Sequence, residues 1–419
     1  MEKELRPGII LRTIATKQFT TTNVIFSFTK KVDSAKELTL RTLLAYVLET
    51  SCQRWPTQAE VARELSRLYG AGFGTTINRR GKVHSLNFVL SVINDRFLSS
   101  REDLLDASLD FLKEMIFSPL AGDKEFDQST FALQKKNLSS YMDSLVEDPR
   151  LLALYGLRGK YFADSMQATP QYGDKESLAE ISPQELYDYY QQMIANDFVQ
   201  IVVCGDINEE QIEQKISSLP LRPRKGSLGN IVYDQSVLPE AQRFSRSMKL
   251  RQTKFDFAYH LPLKTKGQDF FTAVMLNGIF GGDPQSKLFL NVREKASLAY
   301  YASSSFDSLR NILWVQTGIQ ASNQERVEKL VLQQLKDIQQ GKISAEKMEN
   351  IRQSLINDYV SRLDSQSMLG VRAQIDYLLD EHIDSSAWIS RINKVRMEDI
   401  VDLANKMKLQ TIYCLQGEA

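Results

Sequence analysis

Histidine and cysteine are scarce in this sequence, and long apolar runs are missing. Its 419 residues hold three histidines and three cysteines. Cys52, Cys204 and Cys414 are far apart, odd in number and form no CxxC. That pattern excludes a disulfide framework and a zinc knuckle, and it fits a reducing cytoplasm. Nowhere do about 18–20 apolar residues follow one another, so no membrane span is expected. Met1-Glu2-Lys3-Glu4 runs into Arg6-Pro7 without an apolar core behind a basic start, so no secretory signal is expected either. Charge of one sign is also absent, because 52 Lys and Arg balance 52 Asp and Glu. A protein that grips phosphate backbones or anionic lipid would show a basic excess, so neither nucleic acid nor membrane is an expected partner. Low self-repulsion permits association with another subunit, and a homodimer stays open.

The same scarcity removes most catalytic motifs. His84, His260 and His382 stand alone, and neither HExxH nor HxxEH occurs. Glu381-His382 comes nearest, but Leu378 stands where the inverse motif needs histidine. GxSxG and GxxxxGK[ST] are missing. The glycines of Gly70-Ala71-Gly72-Phe73-Gly74 follow a helical pattern and precede a strand pattern, the reverse of a nucleotide loop, and read as a turn.

What is there is ordinary globular material, 42% hydrophobic and 25% charged, enough for two large domains or three small ones. Asn23–Thr29 reads as a strand, and Leu40, Leu43, Leu44, Val47 and Leu48 recur at helical spacing over 36–51. Strands are expected at 75–78 and 84–93, helices at 101–115, 124–145 and 183–194, and a closing strand at Val199–Cys204. Between Leu219 and Arg243 prolines and glycines replace periodicity, which marks a linker. The order then begins again. Phe255–Tyr259 answers the first strand and Phe270–Asn277 the first helix, with Phe26 and Leu48 separated by the same 22 positions as Phe257 and Ile279. Met397-Glu398-Asp399-Ile400 leads a helix into the strand Gln410–Cys414, as Pro183 does into Cys204. Strands clustered between long helices argue an α+β fold of two tandem homologous domains, each a mainly antiparallel sheet packed with helices. The expected division is 1–222, a linker at 223–242, and 243–419.

One stretch carries a family resemblance. Gly278-Ile279-Phe280-Gly281-Gly282-Asp283-Pro284-Gln285-Ser286-Lys287-Leu288-Phe289, continued by Val292-Arg293-Glu294-Lys295-Ala296-Ser297-Leu298-Ala299-Tyr300, resembles the C-terminal-domain signature of pitrilysin/insulinase-type zinc peptidases. Val203-Cys204-Gly205-Asp206 is similar to the strand and Gly-Asp turn that close the first domain in that family. The resemblance extends over essentially the whole chain and implies two clamshell halves of the LuxS/metallohydrolase type.

The departures matter equally. Active members carry HxxEH on the first helix. Here the matching segment is Ala45-Tyr46-Val47-Leu48-Glu49-Thr50, which keeps the base as Glu49 but has Tyr46 and Thr50 in place of the two histidines. The frame Phe131…Lys135…Asp148-Pro149 puts Tyr141 in the position of the distal glutamate ligand, with Gln134 one helical stripe earlier. Neutral hydroxyls are poor zinc ligands, so no metal and no cofactor is expected in this chain. Arg293 and Tyr300 remain; similar peptidases use this pair to bind the substrate backbone and the developing oxyanion. Their seven-residue spacing suits either two helical turns or a helix-to-strand junction.

The resemblance therefore implies the zinc-lacking subunit of a processing-peptidase-like heterodimer, with zinc in a partner subunit of similar size. Such a chain would bind extended peptide, by strand addition along Phe73–Asn78, and supply Arg293 and Tyr300 to the partner's zinc site. Two other readings stand beside it: a scaffold without proteolytic role, and a standalone peptidase with unusual ligands.

Overall fold

The computed structural model describes residues 1–98 and 103–417. The first half of the chain runs β1 (Glu2–Arg6), β2 (Ile9–Ala15), β3 (Thr21–Lys31), α1 (Ala35–Thr50), α2 (Gln58–Arg67), β4 (Gly72–Arg80), β5 (Val83–Ile93) and α3 (Leu104–Phe117). It continues with β6 (Ala121–Gly122), β7 (Glu125–Phe126), α4 (Gln128–Glu147), α5 (Pro149–Tyr161), α6 (Ser165–Ala168), α7 (Lys175–Glu180), α8 (Pro183–Asn196), β8 (Phe198–Gly205) and α9 (Glu209–Ser217). The second half runs β9 (Gln242–Met248), β10 (Thr253–His260), α10 (Gln268–Asn277), β11 (Ala299–Asp307) and β12 (Ile312–Ile319). Then come α11 (Gln324–Gln339), α12 (Ala345–Leu363), α13 (Gln366–Leu379), α14 (Ser385–Asn393), α15 (Met397–Lys406) and β13 (Lys408–Gly417). The fold is α+β with two helix-packed sheets, and the second half repeats the strand-helix opening and helix-strand closing of the first.

Each sheet is mostly antiparallel with one parallel pair. Among the described residues the first has the order β1-β2-β8-β3-β5-β4, parallel only at β2–β8, and the second has the order β11-β12-β10-β13-β9, parallel only at β9–β13. Alternation decides the faces. Val24, Phe26 and Phe28 of β3 point into a core closed by Leu40, Leu43, Leu44 and Leu48 of α1. Phe255, Phe257 and Tyr259 of β10 do the same against Phe271, Met275 and Leu276 of α10. Helix α1 starts where Ser34 accepts the Glu37 amide, an N-cap that the run of leucines then extends.

The contacts divide into two units, and neither follows the chain from end to end. The first comprises Met1–Asp143, Thr169–Ile231 and Leu363–Asp380; the second comprises Ser144–Ala168, Val232–Arg362 and Glu381–Ala419. In the first unit α13 lies on the outer face of the sheet, with Ala373 against Ile25 and Val202. Its Gln366 amide donates to the Thr21 and Cys204 carbonyls at 2.7 Å each. In the second unit α5 takes the equivalent place, with Ala153 and Leu157 against Ala258, Tyr413 and Leu415. A glycine marks each docking point: a Cβ on Gly370 would come 2.6 Å from Ile25 Cδ1, and one on Gly156 would come 2.6 Å from Tyr413 Cε1. Each half of the chain thus supplies one helix to the other half's sheet.

Some local expectations shift. The helix expected from Lys124 begins at Gln128, because Asp123 and Lys124 adopt left-handed backbone in the β6–β7 hairpin. The expected start at Arg101 lies outside the described residues, and α3 is described from Leu104. Gly72 and Gly74 belong to β4; the reversal itself is made by Tyr69 and Gly70, with φ of 56° and 76°. Among the described residues no helix is long and apolar enough to cross a membrane.

Candidate functional site

Helix α1 presents Tyr46, Glu49 and Thr50 at one end of the first unit's sheet, facing α4 and the open edge strand β4. A cavity of about 550 Å³ lies there, lined by these three residues with Thr75, Gln134 and Tyr141 among others. The structure therefore brings together Tyr46, Glu49, Thr50 and Tyr141, nearly a hundred positions apart in the chain.

Their chemistry is that of hydrogen bonding. The Thr75 amide donates to Glu49 Oε2 at 3.0 Å, and its hydroxyl lies 2.6 Å from the same oxygen. Thr50 turns its hydroxyl back onto the Val47 carbonyl at 3.1 Å, which commits its only proton to the helix. Tyr141 packs edge-on to Tyr172, ring centroids 5.1 Å apart. Burial, with the neighbouring Glu49 and Tyr172, pushes the Tyr46 phenol above its ordinary value, so it stays protonated. Asn137 donates to Gln134 Oε1 at 3.1 Å. A zinc site needs imidazole, thiolate or several carboxylates, and a lone carboxylate among phenols, alcohols and amides does not fit that ion. Among the described residues no group of three or more His, Cys, Asp and Glu is placed to hold a metal.

Arg293 and Tyr300 sit in the second unit, across a helix-to-strand junction. Residues Phe289–Lys295 wind as π-helix, and β11 begins at Ala299. Two glycines in the preceding segment are forced by close approach: a Cβ on Gly281 would come 2.6 Å from the Ser304 nitrogen, and one on Gly282 3.0 Å from the Asn277 carbonyl. Leu288 and Val292 anchor the segment in the core. Arg293 stacks over Phe289 at 4.5 Å, its side chain 42% exposed. Tyr300 is the extra residue of a β-bulge, since Ala299 pairs with Ile319 and Tyr301 with Gly318. The bulge turns its ring outward, 55% exposed.

The family profile described as "Peptidase M16 inactive domain" matches residues 180–355, which include the whole glycine-to-tyrosine segment. The probable inactive metalloprotease YmfF of Bacillus subtilis is 27% identical over 417 residues, 99% of this chain and 97% of its own length. A conserved protein from Enterococcus faecalis V583 has a crystal structure that superposes with a TM-score of 0.94 at 35% identity, covering 100% of this chain and 98% of that one. The chain belongs to the M16 peptidase family. Within M16, the matching profile and YmfF are both described as inactive. The crystal structure of a peptidase M16 inactive domain from Pseudomonas fluorescens shares the fold, with a TM-score of 0.81 at 16% identity over 100% of this chain and 98% of that one.

Two site residues of this M16 chain escape motif reading. Thr75 completes the Glu49 contact, and its only signal is a hydroxyl residue just after the glycines of β4. Tyr172 comes from an irregular segment following α6, where periodicity is silent. Arg41 had a louder signal, a cation within the leucine stripe of α1, which demands a buried partner.

Proposed function

We propose that this chain is the non-catalytic subunit of a two-chain zinc peptidase, binding extended peptide and lending Arg293 and Tyr300 to a partner subunit's zinc centre. The observation that carries the reading is a contrast between the two units. The first unit holds hydroxyls where ligands would stand, whereas the second keeps an arginine and a tyrosine turned to solvent. A guanidinium is a fixed fork of donors and a phenol a single directed one, and both suit a peptide carbonyl on which charge develops. Their exposure leaves them available to a substrate held by another chain. Zinc belongs to the partner in this reading, and this chain alone is inactive.

Mixing supplies the test. A zinc-bearing M16 subunit of similar size should co-purify with this chain, and peptide cleavage should appear only when both are present. Arg293→Ala and Tyr300→Phe should each lower kcat by about 10²–10³ while leaving complex formation intact, the usual cost of one lost oxyanion donor. Full activity in both variants would replace this reading with that of a scaffold.

A further inference from the structure

Strand β4 is the outer strand of the first sheet, with β5 on one side and, among the described residues, no strand on the other. Thr75 stands opposite Phe88. Its amide does not donate to β5 but turns outward to Glu49, so this is a non-hydrogen-bonded pair, and the backbone groups of Thr75 face the open edge. By alternation those of Phe73 and Ile77 face the same way. An added strand would need these outward amides, and Glu49 already holds one of them.

We propose that Glu49 is a built-in competitor for peptide at this edge, its carboxylate standing where the carbonyl of an incoming strand would accept from Thr75. The proposal rests on the peptide-binding reading above and names what regulates capture. Three observations carry it. Glu49 Oε2 receives both the amide and the hydroxyl of Thr75, at 3.0 and 2.6 Å, whereas a peptide carbonyl would meet the amide alone. A carboxylate is the stronger acceptor, and being part of the chain it loses no translational freedom on binding. Gly74 leaves the approach clear, since even a Cβ there would lie 3.8 Å from Glu49 Oε1. The adjoining cavity of about 550 Å³, bordered by Thr75, Thr76 and Ile77, gives an arriving strand's side chains room and gives Glu49 somewhere to swing. The occupant is an extended peptide with free backbone amides, and its capture requires Glu49 to yield.

The test uses the full chain and a fluorescein-labelled peptide of alternating threonine and valine with lysine at each end, which favours extended structure. Anisotropy should show Glu49→Ala binding about tenfold tighter than wild type, as a competing charged hydrogen bond is worth at least about that factor. Glu49→Gln, which keeps an uncharged acceptor, should fall between. The same peptide methylated on every amide nitrogen, which leaves neither edge able to donate, should bind none of the three. Hydrogen exchange provides a second readout. The Thr75 amide should be protected in free wild type, unprotected in free Glu49→Ala, and protected again when that variant binds peptide. Wild type binding as tightly as Glu49→Ala, or more tightly, would overturn the competitor and leave peptide capture standing. Absence of binding in all three chains would overturn both.

Discussion

Arg41 donates through Nη1 to the Asp197 carboxylate at 2.6 Å, with both side chains out of solvent. The rest of the guanidinium is engaged too: Nη2 donates to the Phe28 carbonyl at 2.7 Å and Nε to His84 Nδ1 at 3.2 Å. His84 Nδ1 thus accepts, and its Nε2 donates to the Gln171 carbonyl at 3.0 Å, next to the cavity-lining Tyr172. This network pins the helix that bears Tyr46 and Glu49. Asp197→Asn would leave a buried guanidinium without its counter-charge, and urea unfolding should show a loss of about 3–5 kcal/mol. A loss below about 1 kcal/mol would mean that the network does not anchor α1.

Two buried groups pull stability in opposite directions with pH. Burial, and then the nearby Arg41, push His84 well below 6.5, so it folds neutral. Its contribution is complete above pH 6.5 and is lost as pH falls below that, where the unfolded chain takes the proton. Burial raises Asp256 from 3.8 to about 7, although the Thr317 amide, Gln316, Arg150 and Lys254 oppose it. The folded state then holds a proton the unfolded chain has released, so stability drains as pH rises from 3.8 towards 7. Asp256→Asn should be more stable than wild type at pH 8, by on the order of 3 kcal/mol, with the gap closing towards pH 4. Thermal melting across that range checks it, and parallel curves would contradict it.

The two docking glycines should respond unequally. Alanine at either site gains up to about 1 kcal/mol of helix propensity, yet places a methyl too close to its neighbour. At Gly370 that neighbour is the tip of Ile25, which can rotate; at Gly156 it is the ring of Tyr413, which cannot easily leave. Gly156→Ala should cost about 1–3 kcal/mol and Gly370→Ala distinctly less, as read from unfolding midpoints. The reverse order would show that α13 is the more tightly seated helix.

Those glycines also show where sequence reading stops. β3, α1, β8, β10, α10 and β13 announce themselves because one apolar period serves one core. Helices α5 and α13 have apolar faces as well, but an apolar face says that a helix docks and not on which sheet. β1 reads as charged sequence, since Glu2, Lys3 and Glu4 are exposed and only pairing with β2 makes it a strand. In the site, Tyr46, Thr50 and Tyr141 were legible by their place in a motif frame. The Glu49–Thr75 contact was not, because it depends on how α1 meets an edge strand.

Thiol chemistry offers a further check on burial. Cys52, Cys204 and Cys414 are all buried, and burial raises their thiols, Cys204 and Cys414 to about 11. A thiol reagent at pH 8 should find almost no reactive cysteine in the native chain and all three after denaturation. Rapid labelling of the native protein would contradict that packing.

Zinc content of the purified chain, read by atomic spectroscopy after dialysis against micromolar zinc, bears most directly on the idea that metal chemistry lies with a partner. A site of phenols, an alcohol and one carboxylate predicts far less than one equivalent, unchanged by Tyr141→Phe. One zinc per chain that disappears with Tyr141→Phe or Tyr46→Phe would contradict the account.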